Sequence, residues 1–331
     1  MTDLYSKIVS TGSYLPQKIY TNHDIEKLVD TSHDWIVERT GIISRHIADE
    51  NESSVDMAYE ASCKALERSN LKNNDIDLIL VATTTPERKF PSTAVLLQSL
   101  LNNNKASAFD VNAACTGFIY ALDTGSRLIE SGKYKKVIVI GSDTMSSILD
   151  YTDRNTCVLF GDGGGGVMLE RAKDSDSGVI DSILRTDGSG SDYLKIPGGG
   201  SLHPASYETV DQHLHYIRQD GQVVFKYAIK GMADISEEIL KKNNIDSNSI
   251  SLYVPHQANK RIIDGAAQRC GFKDDQVYIN INKYGNTTAG TIPICLDEAK
   301  ELGRINNGDL ILLAAFGAGF TWGSMLIRWG K

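Results

Sequence analysis

Short β-branched runs alternate along the chain with longer stretches in which apolar residues return every three or four positions. In the first half this pattern predicts strands over residues 7–10, 76–82, 106–111, 136–140, 157–160 and 167–170, with helices near 53–69, 92–101 and 116–131. The second half continues it, with strands over 179–184, 251–254, 276–281, 310–315 and 323–329 and helices near 223–243, 260–270 and 288–302. The helix near 53–69 shows the logic: Ser53 is a capping residue, and Val55, Ala58, Ala65 and Leu66 fall on one side. Such alternation predicts an α/β protein whose sheets are covered by helices.

Each half closes on a glycine-rich segment leading into an apolar strand, FGDGGGGVMLER in the first and FGAGFTWGSMLIRW in the second. The halves, residues 1–174 and 175–331, therefore read as copies of one scheme, joined through the polar KDSDS at 173–177. The stretch 186–221, rich in Gly, Ser, His and Asp, reads as a surface excursion.

Composition narrows the function without naming it. A hydrophobic content of 41% and a charged content of 23% are those of a soluble globular protein. The net charge of −8 argues against a nucleic-acid binder, while leaving room for a local basic patch. The start MTDLYSK has no apolar signal region, and the longest uncharged apolar run, 310–320, is too short for a bilayer and carries glycines. No targeting peptide and no membrane segment are expected. The five cysteines are odd in number, widely spaced and free of any CxxC pair, so a disulfide framework is not expected and a cytoplasmic location is.

Two motifs lead away from chemistry. GDGGGG at 161–166 matches GxGxxG in form, but a dinucleotide site needs a helix after the glycines, and Val167-Met-Leu-Glu reads as a strand. Close approach of backbone segments is the better use of those glycines. His213 and His215, read as sharing one strand face, and His203 lie in a polar loop without ligand spacing, so no metal site is expected.

Four other segments carry chemistry. In DVNAACTGF, Cys115 sits between a buried strand and a helix whose apolar stripe is Phe118, Ala121, Leu122, Gly125 and Ile129. Unpaired N–H groups and the helix dipole there favour a thiolate, and a cysteine pKa can fall from about 8.5 in such a place. Free cysteine is also a common core residue, so Cys115 alone is either nucleophile or filler. In VPHQANKR, His256 stands at a strand mouth, placed for proton transfer or for structure, and Asn259 is the natural cap of the helix at Lys260. In YGNTTAGT, the Asn286 amide can donate to a developing oxyanion or close a turn. In AAFGAGFTWG, Gly317 and Gly319 open the backbone to a substrate carbonyl.

NAACTGF, HQAN, YGNTTAG and FGAGFTWG, in this order and spacing, resemble the β-ketoacyl-acyl carrier protein synthase III family. The resemblance runs nearly end to end and includes VDTSHDWIVERTGIISRHIA and FPSTAVLLQ. It implies a thiolase-like fold, two similar halves with mixed sheets and helices in a layered αβαβα arrangement. It also implies condensation of an acyl-CoA primer, acetyl-CoA first among them, with malonyl-acyl carrier protein. Cys115, His256 and Asn286 match the catalytic triad, and the N–H groups of Cys115 and Ala318 match the oxyanion hole. Thr31, Trp35, Arg39, Arg154 and Asn259 match coenzyme A contacts, with Trp35 and Arg154 sandwiching the adenine. Phe90 matches a residue that reaches the partner subunit's acyl pocket, implying a homodimer, and Phe316 matches a gate. Lys226, Arg261 and Arg269 match a basic patch for docking the acidic carrier protein. No tightly bound cofactor is implied; the coenzyme A thioester is a substrate. The long 186–221 loop and the four glycines depart from the shortest family members. A related polyketide or signalling-ketone condensing enzyme, a cysteine-dependent thioester hydrolase and a non-catalytic acyl-CoA binder are the alternatives.

Overall fold

The computed structural model describes residues 4–172 and 177–330. Strands β1 (Tyr5–Tyr14), β2 (Leu78–Ala82), β3 (Ser107–Val111), β4 (Lys136–Asp143) and β5 (Gly163–Ala172) form one sheet in the order β1-β5-β4-β2-β3. A second sheet has the order β7-β8-β9-β6, from β6 (Gly178–Thr186), β7 (Leu252–Pro255), β8 (Leu310–Gly317) and β9 (Thr321–Arg328). Followed from β1 or from β6, the neighbours pair antiparallel, antiparallel, then parallel. The second sheet thus repeats the first, except that it has no counterpart of β3.

The main helices are α1 (His33–Thr40), α2 (Ser54–Ser69), α3 (Thr93–Leu100), α4 (Gly117–Glu130), α5 (Gly221–Lys242), α6 (Lys260–Arg269) and α7 (Thr291–Glu301). Ser53 caps α2 in a capping box with Asp56, as its position predicts. Strand β2 explains the layering, because its residues are apolar on both faces. Ile79 and Val81 meet Ala58 and Leu66 of α2 and Ala94 and Leu97 of α3 on the outside. On the inside Leu80 shares a core with Phe118 and Leu122 of α4, Ile292 and Leu296 of α7, and Leu313 and Met325 of the second sheet. Ile235 and Ile239 of α5 and Ala267 of α6 cover the far face of that sheet at Tyr253, Leu312 and Leu326. The layers run α, β, α, β, α, with α4 and α7 in the middle.

Several expectations need correction. Residues 276–281 do not form a strand: at the place of the missing β3 counterpart they make one parallel bridge, Tyr253 to Val277. Gln257 Oε1 accepts the N–H groups of Asn280 at 3.1 Å and Ile281 at 3.2 Å, which turns the chain into a helical turn. Residues 157–160 do not form a strand either. Asp153 caps a helical turn at Arg154–Cys157, and Cys157 and Val158 pack on Ile36 and Ile42 instead of on a sheet. Gly163 to Gly166 do not merely lead into the strand but lie inside β5. A Cβ on Gly165 would stand 2.9 Å from Ile294 N, so the glycine lets α7 rest directly on the strand. His213 and His215 sit in turns, not on a strand; they bond to Asp150 at 2.8 Å and Thr209 at 2.9 Å. Of the expected linker 173–177, residues 173–176 lie outside the described residues. The 186–221 loop holds a short strand pair, Leu194–Lys195 with Arg218–Gln219, and a helix at Tyr207–Asp211. Among the described residues no helix is long and apolar enough to cross a membrane.

Candidate active site

Both middle helices begin at one place, and the loops leading into them match. Asn112-Ala113-Ala114-Cys115 precedes α4 and Asn286-Thr287-Thr288-Ala289 precedes α7, each through a 3-10 turn. Ala114 has φ 48° and Thr288 φ 52°, a left-handed conformation that costs a non-glycine residue about 1–3 kcal/mol and gathers at functional sites. The turn before α4 carries Cys115, nearly buried; the turn before α7 carries Asn286 two residues ahead of its strained threonine. Gly317, at the end of β8, lies against the first of them. A Cβ there would stand 2.9 Å from Cys115 N and 3.2 Å from Cys115 Cβ, so only glycine lets the Gly317-Ala318 backbone pass Cys115 this closely.

His256 leaves the end of β7, where its N–H donates to Ala314 O at 2.8 Å. Its ring is held at one nitrogen, Nδ1, 2.6 Å from Thr291 Oγ1. Nε2 is buried and has no hydrogen-bond partner in the protein. Asn286 is fixed through its backbone, donating to Leu159 O at 2.9 Å and accepting from Gly161 N at 3.1 Å. Its Oδ1 accepts from Thr288 N at 2.9 Å, which leaves the amide nitrogen as the donor for a ligand.

Electrostatics here depart from the expectation of a helix-stabilised thiolate. Burial, with the Asp143 carboxyl nearby as a second cause, pushes the Cys115 thiol up to about 12. The helix end offers only a partial charge, and desolvation outweighs it. Burial also lowers His256 to about 3, so the imidazole is neutral. The site at rest holds a neutral thiol and a neutral imidazole lining one cavity. Asp143 was not singled out by its motif, although a carboxylate closing the apolar run VIVIGSD is an available signal. It is fully buried, its carboxyl raised by burial. Oδ1 accepts from Thr84 N at 2.7 Å and Thr85 N at 3.1 Å, and Oδ2 from Ala289 N at 3.1 Å. It ties the turn before α7 to the end of β2. Thr291 was missed as well, since nothing local in AGTIP marks a threonine as a histidine's partner.

Cys115, His256 and Asn286 line a single cavity of about 1080 Å³, together with Trp35, Arg39, Asn259, Lys226, Arg261 and Phe316. Leu194, Lys195 and residues 218–221 also line it, so the long loop does border the entrance. Asn259 caps α6 through Arg261 N at 2.9 Å and donates to Arg39 O at 2.9 Å, bridging two sides of the opening. Both arginines of the expected coenzyme A site lie over Trp35: Arg154, the expected adenine partner, at 5.1 Å and Arg39 at 5.9 Å from the ring. At 5.1 Å the Arg154 guanidinium leaves no room for a planar base between itself and the Trp35 ring. Thr31, Phe90, Arg154, Arg269 and Ala318 are not brought to the cavity lining. Phe90 is 84% exposed. Arg269 is paired with Asp234 and Glu237 of α5. Among the described residues no group of three or more His, Cys, Asp or Glu side chains could hold a metal ion.

The duplicated, five-layered fold is that of the thiolase-fold condensing enzymes. Residues 109–188 match the family described as 3-oxoacyl-[acyl-carrier-protein (ACP)] synthase III, and residues 240–329 match its C-terminal family. The β-ketoacyl-[acyl-carrier-protein] synthase III of Chlorobaculum tepidum is 51% identical over 324 residues, 97% of this chain and 98% of that relative. That of Koribacter versatilis is 50% identical over 325 residues, 98% of each. The crystal structure of 3-oxoacyl-[acyl-carrier-protein] synthase III from Aquifex aeolicus superposes with a TM-score of 0.90 at 44% identity, covering 98% of this chain and 100% of that one. The chain belongs to the β-ketoacyl-acyl carrier protein synthase III family, and full-length likeness at this level favours it over the polyketide alternative.

Proposed function

We propose that the chain is an acyltransferase condensing an acyl-CoA primer with malonyl-acyl carrier protein to give 3-oxoacyl-acyl carrier protein, the opening step of fatty acid synthesis, with acetyl-CoA as the first primer to test. The observation that carries it is the convergence of a buried cysteine, an unpartnered imidazole nitrogen and a free amide on one cavity with a cationic, tryptophan-bearing mouth. In the first half-reaction the Cys115 thiol gives its proton to His256 Nε2 and its sulfur attacks the acyl carbonyl. The N–H groups of Cys115 and Ala318 hold the oxyanion; the bond to the coenzyme A sulfur breaks, and that sulfur takes the proton from His256. In the second, the malonyl carboxylate leaves as carbon dioxide and its electron pair forms an enolate. His256 Nε2–H and the Asn286 amide donate to the thioester oxygen that carries the charge. The enolate carbon attacks acyl-Cys115, the new carbon–carbon bond forms, and the cysteine leaves as a thiolate that takes a proton from solvent water. Two neutral donors suffice because departing carbon dioxide supplies the electrons.

Thr31, Trp35, Arg39, Arg154 and Asn259 would hold the coenzyme, and Lys226 and Arg261 at the mouth would seat the acidic carrier protein. A homodimer is supported by the edge of the first sheet. Strand β3 ends it, and Phe109 on that strand, Val95 and Leu100 on α3, and Phe90 ahead of that helix are all exposed. A cytoplasmic location fits five free cysteines. The test is product formation from acetyl-CoA and malonyl-acyl carrier protein by wild type, Cys115→Ala, His256→Ala and Asn286→Ala. All three variants should lose 3-oxoacyl product; full activity in Cys115→Ala would refute the reading.

A further inference from the structure

We propose that Thr291 is a positioning residue whose hydroxyl lets His256 act as a proton acceptor in one half-reaction and a hydrogen-bond donor in the other. This rests on the reading of Cys115 and His256 as the reacting pair. A neutral imidazole carries its hydrogen on one ring nitrogen and a lone pair on the other. The group facing Nδ1 decides which, and thereby sets what Nε2 can offer the cavity. A backbone carbonyl against Nδ1 would hold the hydrogen there and leave Nε2 an acceptor only. A backbone N–H would leave Nε2 a donor only. The group found at 2.6 Å is a hydroxyl, which serves either state.

A second contact completes the device. Thr291 Oγ1 lies 3.2 Å from Thr288 O, so its hydrogen has an acceptor whenever Nδ1 is the donor. Turned the other way, the same hydrogen reaches Nδ1. The left-handed turn at Thr288, φ 52°, is part of the loop that brings this carbonyl to the head of α7. Thr291 and His256 are both buried, so solvent does not supply an alternative partner for Nδ1.

The two half-reactions ask for the two states. When Cys115 passes its proton to Nε2, the ring carries hydrogen on both nitrogens, Nδ1–H donates to Thr291, and Thr291 donates to Thr288 O. The departing coenzyme A sulfur removes the Nε2 proton and leaves hydrogen on Nδ1. Before malonyl decarboxylation, with the coenzyme gone, a transient local opening lets water reach the ring that is closed off at rest, and the ring gains one proton at Nε2 and loses one from Nδ1. Thr291 then turns its hydrogen onto Nδ1, and Nε2–H faces the thioester oxygen.

The test measures the half-reactions apart: single-turnover acylation of Cys115 by acetyl-CoA, and carbon dioxide release from malonyl-acyl carrier protein. Thr291→Val removes the hydroxyl and keeps the branched volume; Thr291→Ser keeps the hydroxyl. Thr291→Val should slow both half-reactions about ten- to hundredfold, less than the roughly 10²–10⁴ of a general acid–base group itself, with KM for acetyl-CoA unchanged and Thr291→Ser close to wild type. Loss in only one half-reaction would mean a fixed tautomer and overturn the proposal. So would a serine variant as impaired as the valine one, which would mark a packing role. Independently of any variant, the ¹⁵N shifts of the His256 ring nitrogens in wild type should report both tautomers across the resting and acylated enzyme. Shifts at one tautomeric limit in both states would also overturn it. His256→Ala separates the layers: if it retains both half-reactions, the assignment of His256 itself has failed.

Discussion

At Cys115 and His256 one cause, burial, produces neutrality in both directions, raising an acid and lowering a base. A stored thiolate would be open to oxidation and alkylation before any primer arrives. A neutral thiol instead waits for the proton transfer that acylation itself drives. Iodoacetamide labelling of Cys115 in the substrate-free protein should therefore keep rising with pH through about 9, the ordinary thiol range. A plateau near neutrality would mean that the helix end wins after all. The histidine makes a thermodynamic prediction with a definite sign. Its folded pKa, about 3, lies below its unfolded value, so below about pH 6.5 the unfolded chain takes up a proton that the folded chain refuses. Stability is lost as pH falls through that window. Unfolding free energies of wild type and His256→Gln should diverge in pH dependence by up to about 1.4 kcal/mol per pH unit there, and parallel curves would contradict the burial of a neutral ring.

At the scale of elements, catalysis depends on backbones that pass very close to one another. Gly317→Ala should leave the sheet intact yet push β8 away from Cys115, because the added Cβ meets main-chain nitrogen rather than a flexible side chain. We expect loss of acylation with destabilisation of about 1–3 kcal/mol, the usual range for overpacking; unchanged acylation would show that the Ala318 N–H is not an oxyanion donor. The same scale shows what a linear reading can reach. Cys115 could be marked as a candidate, nucleophile or filler, because a polarisable residue breaks a run of small ones just before an apolar helix, and the Asn259 cap was legible because a cap has a fixed place relative to its helix. Residues 276–281 misled, since VYINI has strand propensity and only the distant Gln257 side chain ends the pairing after one bridge. Residues 157–160 misled similarly, their apolar side chains serving a small cluster with α1 rather than a sheet. Thr291 and Asp143 were missed for a different reason: Asp143 closes an apolar run and could have been noticed, but the contacts that give the two residues their roles span 35 and 146 residues of sequence.

At the scale of the molecule, a chain of net charge −8 has to attract an acidic carrier, so the placement of its cations matters more than their number. Arg261 stands over Phe225 at the cavity mouth, whereas Arg269 is occupied by Asp234 and Glu237. Charge reversal at Arg261 should raise KM for malonyl-acyl carrier protein without changing acyl-CoA loading, and Arg269→Glu should do less. Equal effects of the two reversals, or an equal effect of Arg261→Glu on loading, would remove the mouth as the carrier's seat. The duplicated architecture gives the molecule one working place, the meeting of two middle-layer helix starts, and the account stands on the cysteine at one of them. Its most direct test is the intact mass of the protein after mixing with a panel of acyl-CoAs, alongside Cys115→Ala. The account predicts a single acyl adduct on wild type, absent from the variant and discharged into 3-oxoacyl product when malonyl-acyl carrier protein is added. No adduct, with the coenzyme A thioesters left intact, would contradict it.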